Sequence, residues 1–200
     1  MDINDFNVTS VKETLKGGKG AEDRLRILLS NFSCSQNRDV ERFFKEQSID
    51  FTKRKQSVSY LVSSKADDEL LAYFTLAIKP ISVNAEHFSN TMRRKIERVS
   101  EVNEQTGEYI LSAYLIAQLS KNFSDGRNKR ITGELLLRLA LSKITQMQDM
   151  AGGTVVFLEA DNVPQLLNFY ETNGFKQFSV RKRRPGEEET GKLVQLLKVM

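Results

Sequence analysis

Apolar and polar residues recur with two different periods along the chain, and each change of period predicts a change of secondary structure. Apolar segments with strand character are predicted at 6–11, 58–62, 70–78, 109–119, 154–158, 175–180 and 192–199. Helices are predicted at 21–29, 37–47, 85–98, 131–147 and just after Pro164. This order predicts an α/β (α+β) fold, in which a mixed central sheet is flanked by helices.

The two strands at 58–62 and 70–78 are separated by a short polar turn at 65–68, so they predict a β-hairpin. The side chains expected on one face of the second strand are those of Leu70, Ala72, Phe74, Leu76 and Ile78. Pro80 follows, and we expect it to end that strand because it cannot donate a ladder hydrogen bond. The later segment at 109–119 is almost wholly apolar, which is typical of a strand buried on both faces.

Two helices have a clear apolar side. In the segment 37–47 the apolar residues Val40, Phe43 and Phe44 share one side. In the segment 131–147 a wide apolar face is formed by Leu135, Leu136, Leu139, Ala140, Ile144 and Met147. Gly152 and Gly153 follow and are expected to end that second helix.

The segment 158–175 carries the most specific local pattern of the chain. Asn162 can cap a helix, Pro164 fits its first turn, and Gly174 suits the left-handed position after its end. This layout puts Tyr170 on a short helix beyond the carboxyl end of a strand, where open α/β sheets build their sites. Spacing alone favours Tyr170 as an amphipathic core residue, at helical spacing from Leu166 and Phe169.

Composition limits the chemistry available to the 200 residues. Cys34 is the single cysteine and His87 the single histidine, which excludes an internal disulfide and a cysteine-rich metal site. We therefore predict that the protein binds no metal and uses no thiol. No apolar run approaches the roughly 20 residues of a membrane span. The first residues lack the pattern of a secretory signal, so we expect a cytoplasmic protein that has no membrane partner.

The net charge of +4 does not by itself indicate nucleic acid. Basic residues are nevertheless clustered at 93–98, 121–130 and 181–184. The acidic run 187–189 directly follows the last cluster, which predicts a charge-compensated hairpin tip. Each basic cluster is either a binding surface or a solvated charged face.

Three parts of the sequence together resemble one family. Phe169-Tyr170 with Gly174-Phe175 resembles the helix end that binds acyl-CoA in GNAT-superfamily N-acetyltransferases. Ala72-Tyr73 stands where GNAT hairpins have Gly-Tyr. The opening at 32–34 and 39–47 resembles that of the GNAT toxins, a branch that acetylates the amino group of aminoacyl-tRNA. The resemblance covers 32–200, so residues 1–31 are expected to be an N-terminal extension and 32–200 the acetyltransferase domain.

The resemblance implies an acetyl-CoA-dependent N-acetyltransferase acting on a primary amine, with aminoacyl-tRNA as the leading specific acceptor. Tyr170 would give a proton to the departing thiolate. The backbone of Leu119 and Ser120 would pair with the pantetheine arm, and Asn162 would contact that arm unless it only caps the helix. Expected partners are acetyl-CoA, tRNA, a small antitoxin and a second copy in a homodimer.

The loop expected to hold the CoA diphosphate departs from the family pattern (Gln/Arg)-x-x-Gly-x-(Gly/Ala). The residues in register with that loop are Arg127, Asn128, Lys129, Arg130, Ile131, Thr132 and Gly133. Arg130 and Thr132 stand where the family has small residues. Either Lys129 and Arg130 bind the diphosphate through their charge, or the side chains block its approach. In the second case the alternative is a degenerate, non-catalytic GNAT-fold protein that binds a partner or RNA.

Two further assignments follow from position. Arg93 and Arg94 lie where the toxins carry basic residues that meet tRNA, and we take them as candidate substrate-binding residues. Glu159, at the end of a predicted strand, could be a general base or a solvated carboxylate.

Overall fold

The computed structural model describes residues 2–84, 86, 88–183 and 191–200. Its centre is an eight-stranded sheet in which β1, β2, β3, β5, β6, β8 and β7 follow one another, and β4 pairs with β5. The strands are β1 (Phe6–Ser10), β2 (Val58–Ser64), β3 (Leu70–Asn84), β4 (Val102–Asn103), β5 (Glu108–Lys121), β6 (Val155–Asp161), β7 (Lys176–Lys182) and β8 (Lys192–Val199). The mixed α/β architecture predicted from the sequence is therefore confirmed.

Helices separate most of these strands. They are α1 (Val11–Thr14), α2 (Ala21–Ser30), α3 (Arg38–Arg42), α4 (Ser48–Lys53), α5 (Asn90–Ile96), α6 (Gly133–Ala151) and α7 (Pro164–Thr172). A π-helical turn at Phe43–Gln47 joins α3 to α4, and 3₁₀ turns lie at Ile3–Asp5 and Ser124–Arg130. Within the described residues, no helix is long and apolar enough to cross a bilayer.

Among the strand pairs whose register is described, pairing is mostly antiparallel, and β5 with β6 is parallel. The pairs β1–β2, β2–β3, β6–β8 and β7–β8 are antiparallel. β5 and β6 are parallel, and their register runs from Ala113–Val155 to Ile116–Leu158. Both strands continue past the last of these pairs, β5 to Lys121 and β6 to Asp161.

The chain forms two compact units. The first comprises Met1–Ala77 and Ala117–Lys143, and the second Ile78–Ile116 and Ile144–Met200. A core cluster of the first contains Val11, Leu25, Leu29, Phe32, Cys34, Phe44, Ile49, Leu61, Leu70 and Tyr73. Buried side chains of the second include Leu111, Val155, Val156, Phe157, Leu158, Phe175, Leu196 and Leu197. The boundary placed at residue 32 stays a prediction, although Leu25 and Leu29 share a cluster with Phe32.

The hairpin strand at 70–78 is longer than predicted. β3 continues through Pro80 to Asn84, and Pro80 is exposed, where the missing N–H costs least. In β3 the side chains from Leu70 to Ala77 are all buried, so both faces of this stretch are covered. Ile78, which was assigned to the same face as Leu70, is 61% exposed.

Two predicted helices also have different ends. The helix expected at 37–47 begins as predicted, with Asn37 as its cap, but it continues through the π-turn to Lys53. The helix expected at 85–98 is shorter, because Ser89 caps α5 by accepting a hydrogen bond from the Met92 N–H. Ala85, His87, Arg184 and the acidic run 187–189 lie outside the described residues.

The π-turn leaves one helical carbonyl to be satisfied by a side chain. The Ser48 N–H bonds to the Phe43 carbonyl, five residues earlier. The Ser48 Oγ–H donates instead to the Phe44 carbonyl at 2.6 Å, and both residues are fully buried. The serine hydroxyl thus satisfies an acceptor that an ordinary helix would satisfy with an N–H.

We expect Ser48→Ala to lower the free energy of unfolding by about 1 kcal/mol, because it removes a buried hydrogen bond to the Phe44 carbonyl. Denaturant unfolding measures this change. Ser30→Ala is the matched control, since the Ser30 hydroxyl makes the same kind of bond, to Ile27 at 2.8 Å, on an exposed surface. Equal effects of the two substitutions would contradict the assignment.

Candidate active site

Tyr170 lies in the second unit, on the short helix that follows β6. Pro164 occupies the first turn of α7, as predicted. Gly174 adopts a left-handed φ of 86° directly after the helix, and Phe175 behind it is fully buried. The local pattern read from the sequence therefore forms, and it fixes Tyr170 on the last turns of α7.

The Tyr170 side chain is almost fully enclosed. It is 8% exposed, and its ring makes edge contacts with the rings of Phe169 at 5.1 Å and Phe175 at 5.8 Å. Burial, together with the negative charge of Asp161, raises the pKa of Tyr170 to about 12. The phenol is therefore protonated at neutral pH, as a proton donor must be.

Asn162 does not cap α7. Val163 occupies the cap position without a side-chain hydrogen bond, and its N–H bonds to the Asp161 carbonyl at 2.7 Å. This tight turn shifts the helix start by one residue and leaves Asn162 exposed. The prediction of Asn162 as an N-cap was wrong, and its contact with the pantetheine arm stays a prediction.

Glu159 is held by ion pairing. Its carboxylate accepts hydrogen bonds from Arg181 Nε at 2.7 Å and Nη2 at 2.5 Å, and from Gln195 at 2.8 Å. These three contacts use both oxygens of the carboxylate. The sequence left open whether Glu159 is a general base or a solvated carboxylate. In the structure it forms an ion pair with Arg181. Asp161 is paired in the same way with Arg183.

Arg93 and Arg94 are neighbours on α5. Arg94 is exposed and Arg93 is half-buried. Both stand in the second half of the helix, where cations are favoured by its dipole. Their position is thus compatible both with a tRNA-binding surface and with a solvated charged face.

Leu119 and Ser120 lie in the first unit, near the end of β5. Ser120 is buried, and its hydroxyl donates to Cys34 Sγ at 3.2 Å and to the Lys121 carbonyl at 3.1 Å. Leu119 is half-buried. Both residues lie beyond Ile116, the last residue of β5 in the parallel register with β6.

The candidate diphosphate loop has an unusual backbone. Asp125 and Gly126 have left-handed φ values of 49° and 74°, and Ile131 is extended before α6 begins at Gly133. The Thr132 hydroxyl accepts a hydrogen bond from the Leu135 N–H at 3.1 Å. Thr132 therefore caps α6 and already satisfies one of the N–H groups that a phosphate would use.

The loop residues are not equally accessible. Lys129 is exposed, Arg127, Asn128, Arg130 and Gly133 are half-buried, and Ile131 is 2% exposed. A shallow cavity of about 240 Å³ brings Lys129, Arg130, Ile131 and Thr132 together with Arg138 of α6. Arg138 was not predicted as a site residue. Its exposed place on α6, one turn after Glu134, was the available signal.

The two arginines of the loop are paired with carboxylates. Arg130 donates to Glu69 at 2.5 Å, to Asp67 at 2.8 Å and to Ser64 Oγ at 3.2 Å. Arg127 donates to Asp125 at 2.7 Å and to Glu69 at 3.3 Å. Glu69 thus bridges both guanidinium groups, and it raises the pKa of Arg127 further. The pairing of these arginines was not predicted.

A buried asparagine anchors the start of the loop. Asn122 is 2% exposed, and its Oδ1 accepts from the Ser33 and Ser124 N–H groups, each at 3.1 Å. Its Nδ2 donates to the Leu70 carbonyl at 2.9 Å. One side chain therefore ties the loop to the segment before α3 and to β3. Its polarity next to an apolar strand was the signal in the sequence.

The described residues contain no group of three or more His, Cys, Asp or Glu side chains placed to hold a metal ion. Comparison with protein-family models finds no match, and comparison with curated protein sequences finds none either.

Solved structures, in contrast, are similar over nearly the whole chain. AtaT complexed with acetyl-methionyl-tRNAfMet gives a TM-score of 0.62 at 14% identity, covering 95% of this chain and 94% of that one. A tyrosine-to-phenylalanine mutant of KacT gives 0.60 at 15% identity, covering 95% and 94%. AtaTR bound with acetyl-CoA gives 0.57 at 15% identity, covering 98% and 94%.

These similarities show that the chain has the GNAT fold. Within that fold, the neighbours are toxin structures, so the resemblance to the GNAT toxins found in the sequence is confirmed at the level of the fold.

Proposed function

We propose that the protein is an acetyl-CoA-dependent N-acetyltransferase that acetylates a primary amine. The observation that carries this proposal is Tyr170, a buried and protonated phenol on the helix directly after β6. It stands in a fold shared with a mutant AtaT toxin bound to acetyl-CoA and the C-terminus of AtaR, and with AtaT complexed with acetyl-methionyl-tRNAfMet. A phenol in this state can donate a proton to a departing thiolate.

The proposed reaction is direct transfer. The amine nitrogen attacks the thioester carbonyl carbon, so that a C–N bond forms and the C–S bond breaks. The thiolate takes the proton of Tyr170 Oη, the phenolate regains a proton from water, and the amine releases its extra proton to solvent. A backbone N–H near Leu119 or Ser120 would stabilise the developing oxyanion. These residues lie beyond the paired stretch of β5 and β6, which supports their use by a ligand.

The acceptor we propose is the amino group of aminoacyl-tRNA, and the wider biological role is that of a toxin controlled by an antitoxin. The AtaT complexes with acetyl-methionyl-tRNAfMet and with the antitoxin AtaR support both points. Arg93 and Arg94 would contact tRNA phosphates, and the protein would act as a homodimer in the cytoplasm without a metal.

Calorimetric titration with acetyl-CoA, followed by activity assays, tests the proposed acetyltransferase activity. We expect saturable binding, followed by acetylation of charged tRNA but not of free amino acids or polyamines. An absence of binding at millimolar acetyl-CoA would contradict the proposal. Equal activity on free amino acids would remove tRNA as the acceptor.

We expect Arg94→Gln to weaken binding of charged tRNA, because one phosphate contact is lost. The plot of the logarithm of the binding constant against the logarithm of the salt concentration should become less steep by about one. Fluorescence titration at several salt concentrations measures this slope. Lys12→Gln is the control, since Lys12 is equally exposed but belongs to α1. The same loss in both variants would point to net charge alone.

A second candidate function is a GNAT-fold protein that binds a partner or RNA without catalysis. It is favoured by Arg130 and Thr132 in place of small residues and by the carboxylates already bound to the loop arginines. Tight RNA binding by a protein that does not bind acetyl-CoA would select this alternative.

A further inference from the structure

The β2–β3 turn places two carboxylates against the candidate diphosphate loop. Glu69 contacts both Arg130, at 2.5 Å, and Arg127, at 3.3 Å. Asp67 contacts Arg130 at 2.8 Å. Both terminal nitrogens of the Arg130 guanidinium, Nη1 and Nη2, therefore already donate hydrogen bonds to carboxylates. An arginine would use the same N–H groups to bind a phosphate.

The turn and the loop are each built to hold this contact. In the turn, the Asp68 N–H bonds to the Ser64 carbonyl at 2.9 Å, and the Ala66 N–H bonds to Ser64 Oγ at 3.1 Å. Asp68 itself has a left-handed φ of 55°. On the loop side, Asn122 anchors the chain just before the arginines. The carboxylates are thus presented by an ordered turn between two paired strands.

The cluster has no excess of positive charge. Two guanidinium groups, those of Arg127 and Arg130, face three carboxylates, those of Asp67, Glu69 and Asp125. An incoming diphosphate therefore meets guanidinium groups whose charge is already neutralised. It must share them with the carboxylates, or displace those carboxylates, and it is repelled by them in either case.

We propose that Asp67 and Glu69 compete with the diphosphate of acetyl-CoA for Arg127 and Arg130. They set the affinity of the loop for this anion by occupying Arg127, at the family's Gln/Arg position, and Arg130, which stands in place of a small residue. This inference rests on the proposed function, because acetyl-CoA is the ligand whose affinity they adjust.

The test is calorimetric titration of acetyl-CoA into the full chain and into Glu69→Gln, Asp67→Asn and the double variant. Each single substitution should lower the Kd about fivefold, and the double variant should lower it further, since each removes one repulsive charge near the anion. Amide isosteres keep the side-chain size and one carbonyl acceptor while removing the charge, and exposed ion pairs contribute little to stability. Thermal unfolding of each variant confirms that it is folded.

Asp68→Asn is the matched control, because it removes the same charge from the same turn. Asp68 makes no ion pair within the described residues, and asparagine tolerates its left-handed backbone. Its Kd should stay within about twofold of the parent value, because a charge outside the cluster is screened by water.

The outcomes separate this inference from the proposed function. Tighter binding by Glu69→Gln and Asp67→Asn than by the parent chain supports it. Binding by the parent with unchanged or weaker binding by the variants overturns it and leaves the proposed function standing. A Kd change in Asp68→Asn as large as in the others also overturns it. Failure of every variant to bind at millimolar acetyl-CoA overturns both.

Discussion

We expect Tyr170→Phe to slow acetyl transfer by about 10²–10⁴-fold while leaving the affinity for acetyl-CoA nearly unchanged. The substitution removes only the hydroxyl and keeps the ring that packs against Phe169 and Phe175. The departing thiolate then loses its proton donor, but the binding surface is kept. Single-turnover assays with acetyl-CoA and charged tRNA measure the rate, and calorimetry measures the affinity.

Tyr109→Phe is the control for this experiment. Tyr109 is also buried, and its hydroxyl donates to Glu97 at 3.0 Å, but no role in transfer is assigned to it. Its rate should stay close to that of the parent. Wild-type turnover by Tyr170→Phe would remove Tyr170 from the mechanism.

The pH dependence gives a second readout of the same residue. Burial and the charge of Asp161 raise the pKa of Tyr170 to about 12, so its proton is retained from neutral pH to about pH 10. The rate should therefore not fall across this range through loss of that proton. The raised pKa also makes the phenol a weaker acid, so efficient transfer requires that the thiolate be desolvated beside it. An alkaline fall in rate that is absent from Tyr170→Phe would contradict this account.

We expect Asn122→Ala to lower the free energy of unfolding by about 3 kcal/mol, because three backbone groups lose a buried partner at once. These are the N–H groups of Ser33 and Ser124 and the carbonyl of Leu70. The affinity for acetyl-CoA should also fall, because the loop loses its anchor. Denaturant unfolding and calorimetry measure the two effects.

Asn168→Ala is the control for Asn122. Asn168 is exposed on α7, where alanine is the better helix former, so its stability should be unchanged or slightly higher. A small effect of Asn122→Ala, comparable to that of Asn168→Ala, would show that water replaces the lost amide. In that case Asn122 would not be the anchor of the loop.

Local patterns predicted most of the fold correctly. The helix 131–147, the glycine pair after it and the segment Leu158–Phe175 all form close to where they were expected, because periodicity and capping are properties of neighbouring residues. The errors concern the ends of elements, where the surrounding structure determines the boundary. Pro80 does not end β3, because it lies at an exposed position, and Val163 replaces Asn162 as the cap, because a tight turn precedes it.

In the candidate site, too, features that depend on adjacent residues were predicted, and contacts between distant residues were not. Tyr170 could be nominated from the sequence, because its helix, its proline and its glycine stop are contiguous. The partners of Arg127 and Arg130 were not, because Glu69 lies 58 and 61 positions away along the chain. Asn122 was missed for the same reason, since its hydrogen bonds reach residues in two distant segments.

The sequence by itself determined the order of the elements, the resemblance to the GNAT toxins and the nomination of Tyr170. Each of these depends on residues close together in the chain or on a motif whose spacing is fixed. Only the tertiary structure decided that Arg127 and Arg130 are paired with carboxylates of the β2–β3 turn and that Tyr170 is buried. Charge pairing and desolvation depend on which distant groups come within a few ångströms, and folding brings those groups together.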